Sequence, residues 1–352
     1  MSSLSFSLAA ASRRLSFAQL RALSTKRLVY EERGDPAKIL RLETVELDDT
    51  PKANEVLVKW RAAPVNPADV NQLQGVYPVK PALPAVGGNE GCGWVEKVGS
   101  NVSNVKAGDL VIPARSGLGT WRTFGVHKAD DIFPLDSRLE RSVAAMFQVN
   151  PPTAYRMLHD FVQLKAGDTV VQNGANSAVG RYVIQIAKIL QLNLVNVVRD
   201  RPEIDELKAE LRELGASVVH TEEEFAKAAR ELTNVRLALN CVGGRSSLNL
   251  ARTLGAGGCM VTYGGMSKQA VQCPTGPLIF KGISLRGFWM SQWYDDGHAE
   301  ERQRMYARLA DWFTSGQLRS TKTREFPLED YEKVVGAALE TANIKQLFVM
   351  DE

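Results

Sequence analysis

The rhythm of hydrophobic and polar residues changes twice along the chain. From about Lys26 to Gln148 apolar residues fall in short runs, Glu55–Trp60, Gly93–Val98 and Leu110–Pro113 among them, separated by Gly, Pro, Asn and Asp. Runs of that length bounded by turn residues predict a mostly β domain. Beyond Asn150, Pro151 and Pro152 the period lengthens. A helix is predicted over Thr153–Phe161, a strand at Asp168–Gln172, and a helix at Val179–Leu190 with apolar Val179, Val183, Ile186, Ala187 and Leu190 on one face. A strand at Leu194–Val198 follows. Helical Lys208–Leu214, Glu222–Leu232 and Ser246–Leu254 then alternate with extended Ser217–Val219, Arg236–Asn240 and Cys259–Tyr263. That alternation predicts an α/β unit, a parallel sheet covered by helices on both faces. The last stretch returns to the earlier character, with helices near Ala299–Phe313 and Leu328–Glu340 and a closing strand Gln346–Met350.

These shifts divide the chain into residues 25–150 and 291–352, two parts of one domain, with a Rossmann-type, doubly wound parallel-sheet domain at 151–290 inserted between them and a cleft where they meet. With 352 residues, 44% of them hydrophobic, there is material for two such cores, and disorder and collagen are excluded. The 43 basic and 40 acidic residues nearly balance, which argues against a nucleic-acid partner, whose footprint is a basic stripe. No apolar run is long enough to predict a membrane span.

Charge is uneven only at the start. Arg13, Arg14, Arg21, Lys26 and Arg27 occur before the first acidic residue, Glu31, among seven serines. An Arg- and Ser-rich, acid-poor opening reads as an organelle-import presequence, here residues 1–24 with cleavage near Ser24. A plain basic tail is the alternative. A secretory signal fits less well, because Arg13 and Arg14 follow the apolar Leu4–Ala11 stretch instead of preceding it. Cys92, Cys241, Cys259 and Cys273 form no CxxC pair and the four histidines no HxxxH, so no metal site is expected.

Between the first strand and helix of the inserted domain the chain reads Asn173, Gly174, Ala175, Asn176, Ser177, Ala178, Val179, Gly180. A turn at that place offers backbone N–H groups and a helix N-terminus to a pyrophosphate. It departs from GxGxxG, since Asn176 stands where the central glycine is expected. Many strand–helix turns need glycine for conformation alone, but the strand, helix and second strand around this one are spaced as a dinucleotide site requires. After the second strand come Arg199, Asp200 and Arg201. Two guanidiniums there suit a 2′-phosphate and favour NADP(H). Asp200 keeps NAD(H) open, because it could pair with either arginine in an ordinary surface network.

From about Arg27 to its end the sequence resembles the medium-chain dehydrogenase/reductase superfamily, with its GroES-like catalytic domain. The resemblance is carried by Gly88, Asn89, Glu90 and Gly91, by Val98 and Gly99 running to Val102, by Gly108, Asp109 and Val111, and by the βαβ domain. Within the zinc-free, quinone oxidoreductase-like branch it is similar to the mitochondrial trans-2-enoyl thioester reductases. NPAD at 66–69, QGVY at 74–77, AVGGNEG at 85–91, GLGTW at 117–121, VRDR at 198–201, LNCVGG at 239–244, YGGM at 263–266 and FWMSQW at 288–293 occur in order. Zinc-dependent members carry a His where this chain has Asn89 and a Cys where it has Asn66, and the structural-zinc cysteines are missing, so the resemblance implies polarisation by hydrogen bonds rather than by a metal.

The activity implied is NADPH-dependent reduction of trans-2-enoyl thioesters, on coenzyme A or acyl carrier protein, in mitochondrial fatty-acid synthesis by a homodimer. Such a reduction needs hydride at Cβ, a stabilised enolate oxygen and a proton at Cα. A phenol can serve the last two needs, and the resemblance places that role on Tyr77, which by position alone would be one of eight tyrosines. It places cofactor contacts at Asn150, at Asn176, Ser177, Ala178 and Val179, at Arg199, Asp200 and Arg201, at Tyr263, Gly264, Gly265 and Met266, at Phe288, Trp289 and Met290, and at Lys345. Phe288 to Met290 and Trp293 read equally as interdomain core or as a wall beside the acyl chain. Arg304 and Arg308 could meet an acidic carrier, though Glu300, four residues before Arg304, favours a solvated ion-pair face. A quinone or alkenal reductase of the same branch and a noncatalytic NADPH-binding protein are the competing readings.

Overall fold

The computed structural model describes residues 23–232, 234–337 and 344–351. The presequence reading therefore falls mostly on residues 1–22, outside the described residues, as does the end of the helix expected to reach Glu340. In chain order the strands are β1 (Leu23–Tyr30), β2 (Arg41–Leu47), β3 (Glu55–Pro64), β4 (Ala85–Val86), β5 (Cys92–Val98), β6 (Leu110–Pro113), β7 (Phe124–Lys128), β8 (Ile132–Pro134), β9 (Thr169–Gln172), β10 (Asn193–Val198), β11 (Val218–Thr221), β12 (Val235–Asn240), β13 (Leu254–Thr262), β14 (Ser284–Gly287), β15 (Thr323–Phe326) and β16 (Lys345–Val349).

The first part of the chain builds a small sheet β2-β1-β4 and a larger one ordered β15-β16-β3-β5-β6-β8, with β7 also on β3. β3 is long and buries Val56, Val58, Trp60 and Ala62 on one face wholly inside, with Leu57 and Ala63 of the other face covered as well. β16 pairs antiparallel with β3, Leu347 opposite Pro64, so the chain does return to its first sheet. β9 to β14 form a separate parallel sheet in the order β11-β10-β9-β12-β13-β14. Its central strands are apolar on both faces, with Val170, Val171, Leu237, Ala238 and Leu239 fully buried. The order reverses between β9 and β12, the place where such sheets open a crevice at their strand ends.

Local chemistry sets the helices. Ser177 caps Ala178–Ile189 by accepting the Gly180 N–H at 3.1 Å. Thr221 and Glu224 close a capping box on Glu222–Ala228, which stops short of the expected Leu232. Pro151 and Pro152 lie in the first turn of the Asn150–His159 helix, where a missing N–H costs nothing, so that helix begins three residues earlier than the pattern suggests. Expected helix Leu328–Glu340 is instead a 3₁₀ turn, Leu328–Asp330, followed by helix Tyr331–Ala337. Helix Ala299–Thr314 sits between the two units. Its Tyr306 packs edge-on to Phe147, its Trp312 tilts against Tyr155 and its Phe313 meets Tyr182.

Candidate active site

Tyr77 follows the helix Pro67–Leu73. Gly75 makes the turn at φ +78°, a conformation that glycine adopts without strain, and the Tyr77 N–H closes it on the Asn71 carbonyl at 3.2 Å. Across the cleft, the segment after β14 supplies Trp289. Its Nε1–H donates to the Tyr77 hydroxyl at 2.8 Å, and the two rings meet edge to face with centroids 5.8 Å apart. Ser116 and Ser291 share a second hydrogen bond across the same gap, 2.9 Å. Burial pushes the Tyr77 phenol above its ordinary value, against the pull of the Trp289 and Ser291 contacts, and Asp69 adds slightly to the rise. With Trp289 occupying a lone pair of its oxygen, a neutral Tyr77 keeps its proton to give elsewhere.

Behind Tyr77 lies a buried polar cluster. Asp69 Oδ2 accepts the Asn66 N–H at 2.7 Å, and its Oδ1 takes the Asn89 N–H at 2.9 Å and Nδ2 at 2.7 Å. Asn89 Oδ1 in turn accepts the Gly117 N–H at 2.7 Å. Asn66 Nδ2 donates to Glu90 Oε2 at 2.7 Å, and Lys345 Nζ donates to Asn66 Oδ1 at 2.5 Å. Burial pushes Asp69 up to about 6 and Glu90 up to about 7. Burial drives Lys345 down, while Glu90 and Asp69 hold it up. The amides of Asn66 and Asn89 thus work as hydrogen-bond hubs. Among the described residues no three His, Cys, Asp or Glu side chains gather as a metal would require.

The opposite wall is made from strand ends. Asn176 to Val179 follow β9, Arg199 to Arg201 follow β10, Tyr263 to Met266 follow β13 and Phe288 to Met290 follow β14, so the structure brings these four predicted segments to one edge of the parallel sheet. Gly180 lets the helix approach that edge, since a Cβ there would lie 2.7 Å from the Ala175 carbonyl oxygen. Asn173 fixes the neighbouring loop by donating to Asn240 Oδ1 at 2.8 Å and accepting the Cys241 N–H at 2.8 Å. Asp200 accepts the Arg201 backbone N–H at 2.9 Å. Arg199 and Arg201 stand together with no salt bridge to either among the described residues, and Arg201 is held below its ordinary value by burial first and by Arg199 second, with Glu203 pulling the other way. Such a pair fits a dianion. The buried Asn150 Nδ2 has no hydrogen-bond partner, a second vacancy suited to a cofactor amide or hydroxyl.

Not every predicted side chain faces the cleft. Met290 is buried in the core, Phe288 packs edge-on to Phe161 at 5.7 Å, and Trp293 stacks on His298. Of this aromatic group it is Trp289 that reaches Tyr77. Met266 is 60% exposed, Arg199 and Asp200 are exposed, and Lys345 arrives from β16 in the other sheet. Arg304 pairs with Glu300 and Glu301, the ion-pair face expected of it. Nothing in the sequence marks the contact of Ser116 with Ser291 or the cluster roles of Asp69 and Glu90. Asn66 and Asp69 carry a capping signal at i,i+3, whereas nothing local marks Ser116 and Ser291 as neighbours.

Matches to known proteins agree with this geometry. The Alcohol dehydrogenase GroES-like domain family matches residues 52–137 and the Zinc-binding dehydrogenase family residues 178–312, which together define a medium-chain dehydrogenase/reductase. A mitochondrial enoyl-[acyl-carrier-protein] reductase of Caenorhabditis elegans is 60% identical over 332 residues, spanning 94% of this chain and 96% of the relative. Two solved structures superpose with a TM-score of 0.87, each covering 93% of this chain and 100% of theirs: the ETR1P/NADP/crotonyl-CoA complex, 38% identical, and the mitochondrial 2-enoyl thioester reductase Etr1p/Etr2p heterodimer from Candida tropicalis, 39% identical. The chain belongs to the mitochondrial enoyl-[acyl-carrier-protein] reductase family.

Proposed function

We propose that this protein reduces trans-2-enoyl thioesters, carried on coenzyme A or acyl carrier protein, with NADPH in the mitochondrial matrix. The observation that carries the reading is the Trp289 Nε1–H donated to the Tyr77 hydroxyl beside the cofactor-binding edge of the parallel sheet. Bound NADPH supplies the hydride that adds to Cβ. Tyr77 donates its O–H to the thioester carbonyl oxygen, which carries the enolate charge, and passes its proton to Cα to give the saturated thioester. Trp289 aims that hydroxyl and Ser291 steadies it.

The strand-end loops hold the cofactor. Ser177, Ala178 and Val179 present a helix N-terminus to the pyrophosphate, next to Asn176. Arg199 and Arg201 grip the 2′-phosphate, with Asp200 shaping their turn. Tyr263, Gly264, Gly265 and Met266 flank the nicotinamide ribose, Asn150 and Lys345 reach it from the other side, and Phe288 and Met290 back the Trp289 segment. A second copy of the chain covers the outer edge of β14, where Leu285 is exposed and the preceding Ile279 and Phe280 stand 65% and 85% open. Sedimentation of the purified protein should show a dimer.

NADPH oxidation should be rapid with crotonyl-CoA and negligible with butyryl-CoA or a quinone. Turnover with the quinone alone would move the chain to the quinone-reductase reading, and NADPH binding without turnover of any acceptor would make it a noncatalytic binder.

A further inference from the structure

The buried cluster contains a chain of hydrogen bonds with one direction. Lys345 Nζ donates to Asn66 Oδ1, Asn66 Nδ2 donates to Glu90 Oε2, and Glu90 Oε1 accepts the Val149 N–H at 2.8 Å. It runs from β16 through the N-cap of the Pro67–Leu73 helix to the residue before Asn150. An ammonium has only donors, so the oxygen of the Asn66 amide must face Lys345 and its NH₂ must face residue 90. Val149 presents a backbone donor from the other side. Residue 90 is therefore asked for two acceptors, and a carboxylate meets that demand where a carboxamide meets half of it. Glu90 is 0% exposed, so a mismatched group there would be left unpaired away from bulk water. Asp69 pins the backbone of Asn66, the middle link, the Lys345 N–H donates to the Lys322 carbonyl at 2.8 Å, and Tyr294 donates to the Gln148 carbonyl beside Val149 at 2.6 Å, so the relay is seated in fixed backbone.

We infer that Glu90 is a positioning residue that, acting through Asn66 and Val149, sets the Lys345 ammonium and the Asn150 amide for binding of the cofactor. The inference rests on the proposed role of those two residues toward NADPH. Glu90 acts behind them. It neither donates a proton nor meets the substrate.

Exchanging the polarity of one link tests this. In Glu90→Gln a single acceptor faces two donors, and in Asn66→Asp two carboxylates face each other. Each variant should bind NADPH about tenfold more weakly in a fluorescence titration. In the double variant N66D/E90Q, the residue-66 carboxylate accepts from both Lys345 and the residue-90 amide, whose oxygen takes the Val149 N–H. Every donor again meets an acceptor at unchanged net charge. The double variant should bind NADPH within about threefold of wild type. A role confined to packing would lower the melting temperature of the single variants and leave their affinity alone.

Wild-type affinity in Glu90→Gln, or a double variant as weak as the singles, would overturn the proposal. Should Glu90→Gln not fold, the double variant decides: near-wild-type affinity upholds the relay, and lost affinity or lost folding refutes it. The readout is cofactor affinity, so failure of the enoyl-reductase reading would show separately, as wild-type protein that titrates with NADPH and leaves crotonyl-CoA untouched. Wild type that does not bind NADPH would sink the cofactor reading and this inference together.

Discussion

The two walls of the cleft are made of different material. On the parallel-sheet side the site is mostly backbone: four loops leave the ends of β9, β10, β13 and β14 along one edge, and their positions follow from the sheet itself. On the other side it is side chains, Tyr77, Asn66, Glu90 and Lys345, each from a different segment and each dependent on partners for its orientation. A backbone wall breaks when a chain cannot approach another, a side-chain wall when a donor loses its acceptor.

The sharpest break is Tyr77→Phe, which keeps the ring against Trp289 and deletes the hydroxyl. Expected is a kcat on crotonyl-CoA lower by roughly two to three orders of magnitude with NADPH affinity nearly unchanged. Unchanged turnover would strip Tyr77 of its role, and lost cofactor affinity would mean that its hydroxyl holds the cofactor rather than the substrate. Next, replacing Arg199 and Arg201 together by Ala should weaken NADPH by about two orders of magnitude and NADH far less, at about 1.5 kcal/mol for each exposed charge-assisted contact. Equal losses for the two cofactors would mean that the arginines do not read the phosphate.

Gly180→Ala attacks the backbone wall directly. Its Cβ would press on the Ala175 carbonyl, so unfolding should become easier by about 1–3 kcal/mol, visible in urea melts, with kcat at saturating NADPH largely retained. A fall in kcat comparable to that of Tyr77→Phe would contradict the division. The smallest effect concerns pH. Tyr77 works in its protonated form and burial raises its pKa, so activity should stay level through neutrality and fall only above the ordinary tyrosine value of about 10. The Trp289 bond stabilises the phenolate, so Trp289→Phe should move that alkaline limb to still higher pH and reduce kcat by about tenfold. An alkaline limb that stays put in Trp289→Phe would mean that the indole does not influence the phenol.

The same contrast explains what could be read beforehand. The alternation of β9 to β13 with their helices is written locally, in period and in turn residues, and the strand-end segments carrying Ser177, Arg199 and Gly264 could be placed from it. β14 is hard to read from the sequence because Ser284–Gly287 is only four residues long and at an edge, with Leu285 its one apolar side chain. Tyr77 was reached through the family resemblance; its partner Trp289 was expected as a cofactor contact or wall, and the bond between them depends on how two distant segments meet. The acids Asp69 and Glu90 stand in the sequence only as members of family motifs, because burial is a property of the assembled sheet and not of the tetrapeptide around them.

The pairing of β16 with β3 also imposes an order of assembly. Lys345 lies 279 positions after the Asn66 oxygen it binds, and the whole parallel sheet is encoded between them. A chain emerging from a ribosome, or drawn amino end first through an import channel, can finish its dinucleotide-binding sheet while Asp69 and Glu90 still lack their counter-ion. The acidic pocket closes only when the final strand docks, so the parallel sheet and the buried lysine-and-acid cluster of the cleft mature at different moments in the life of each molecule.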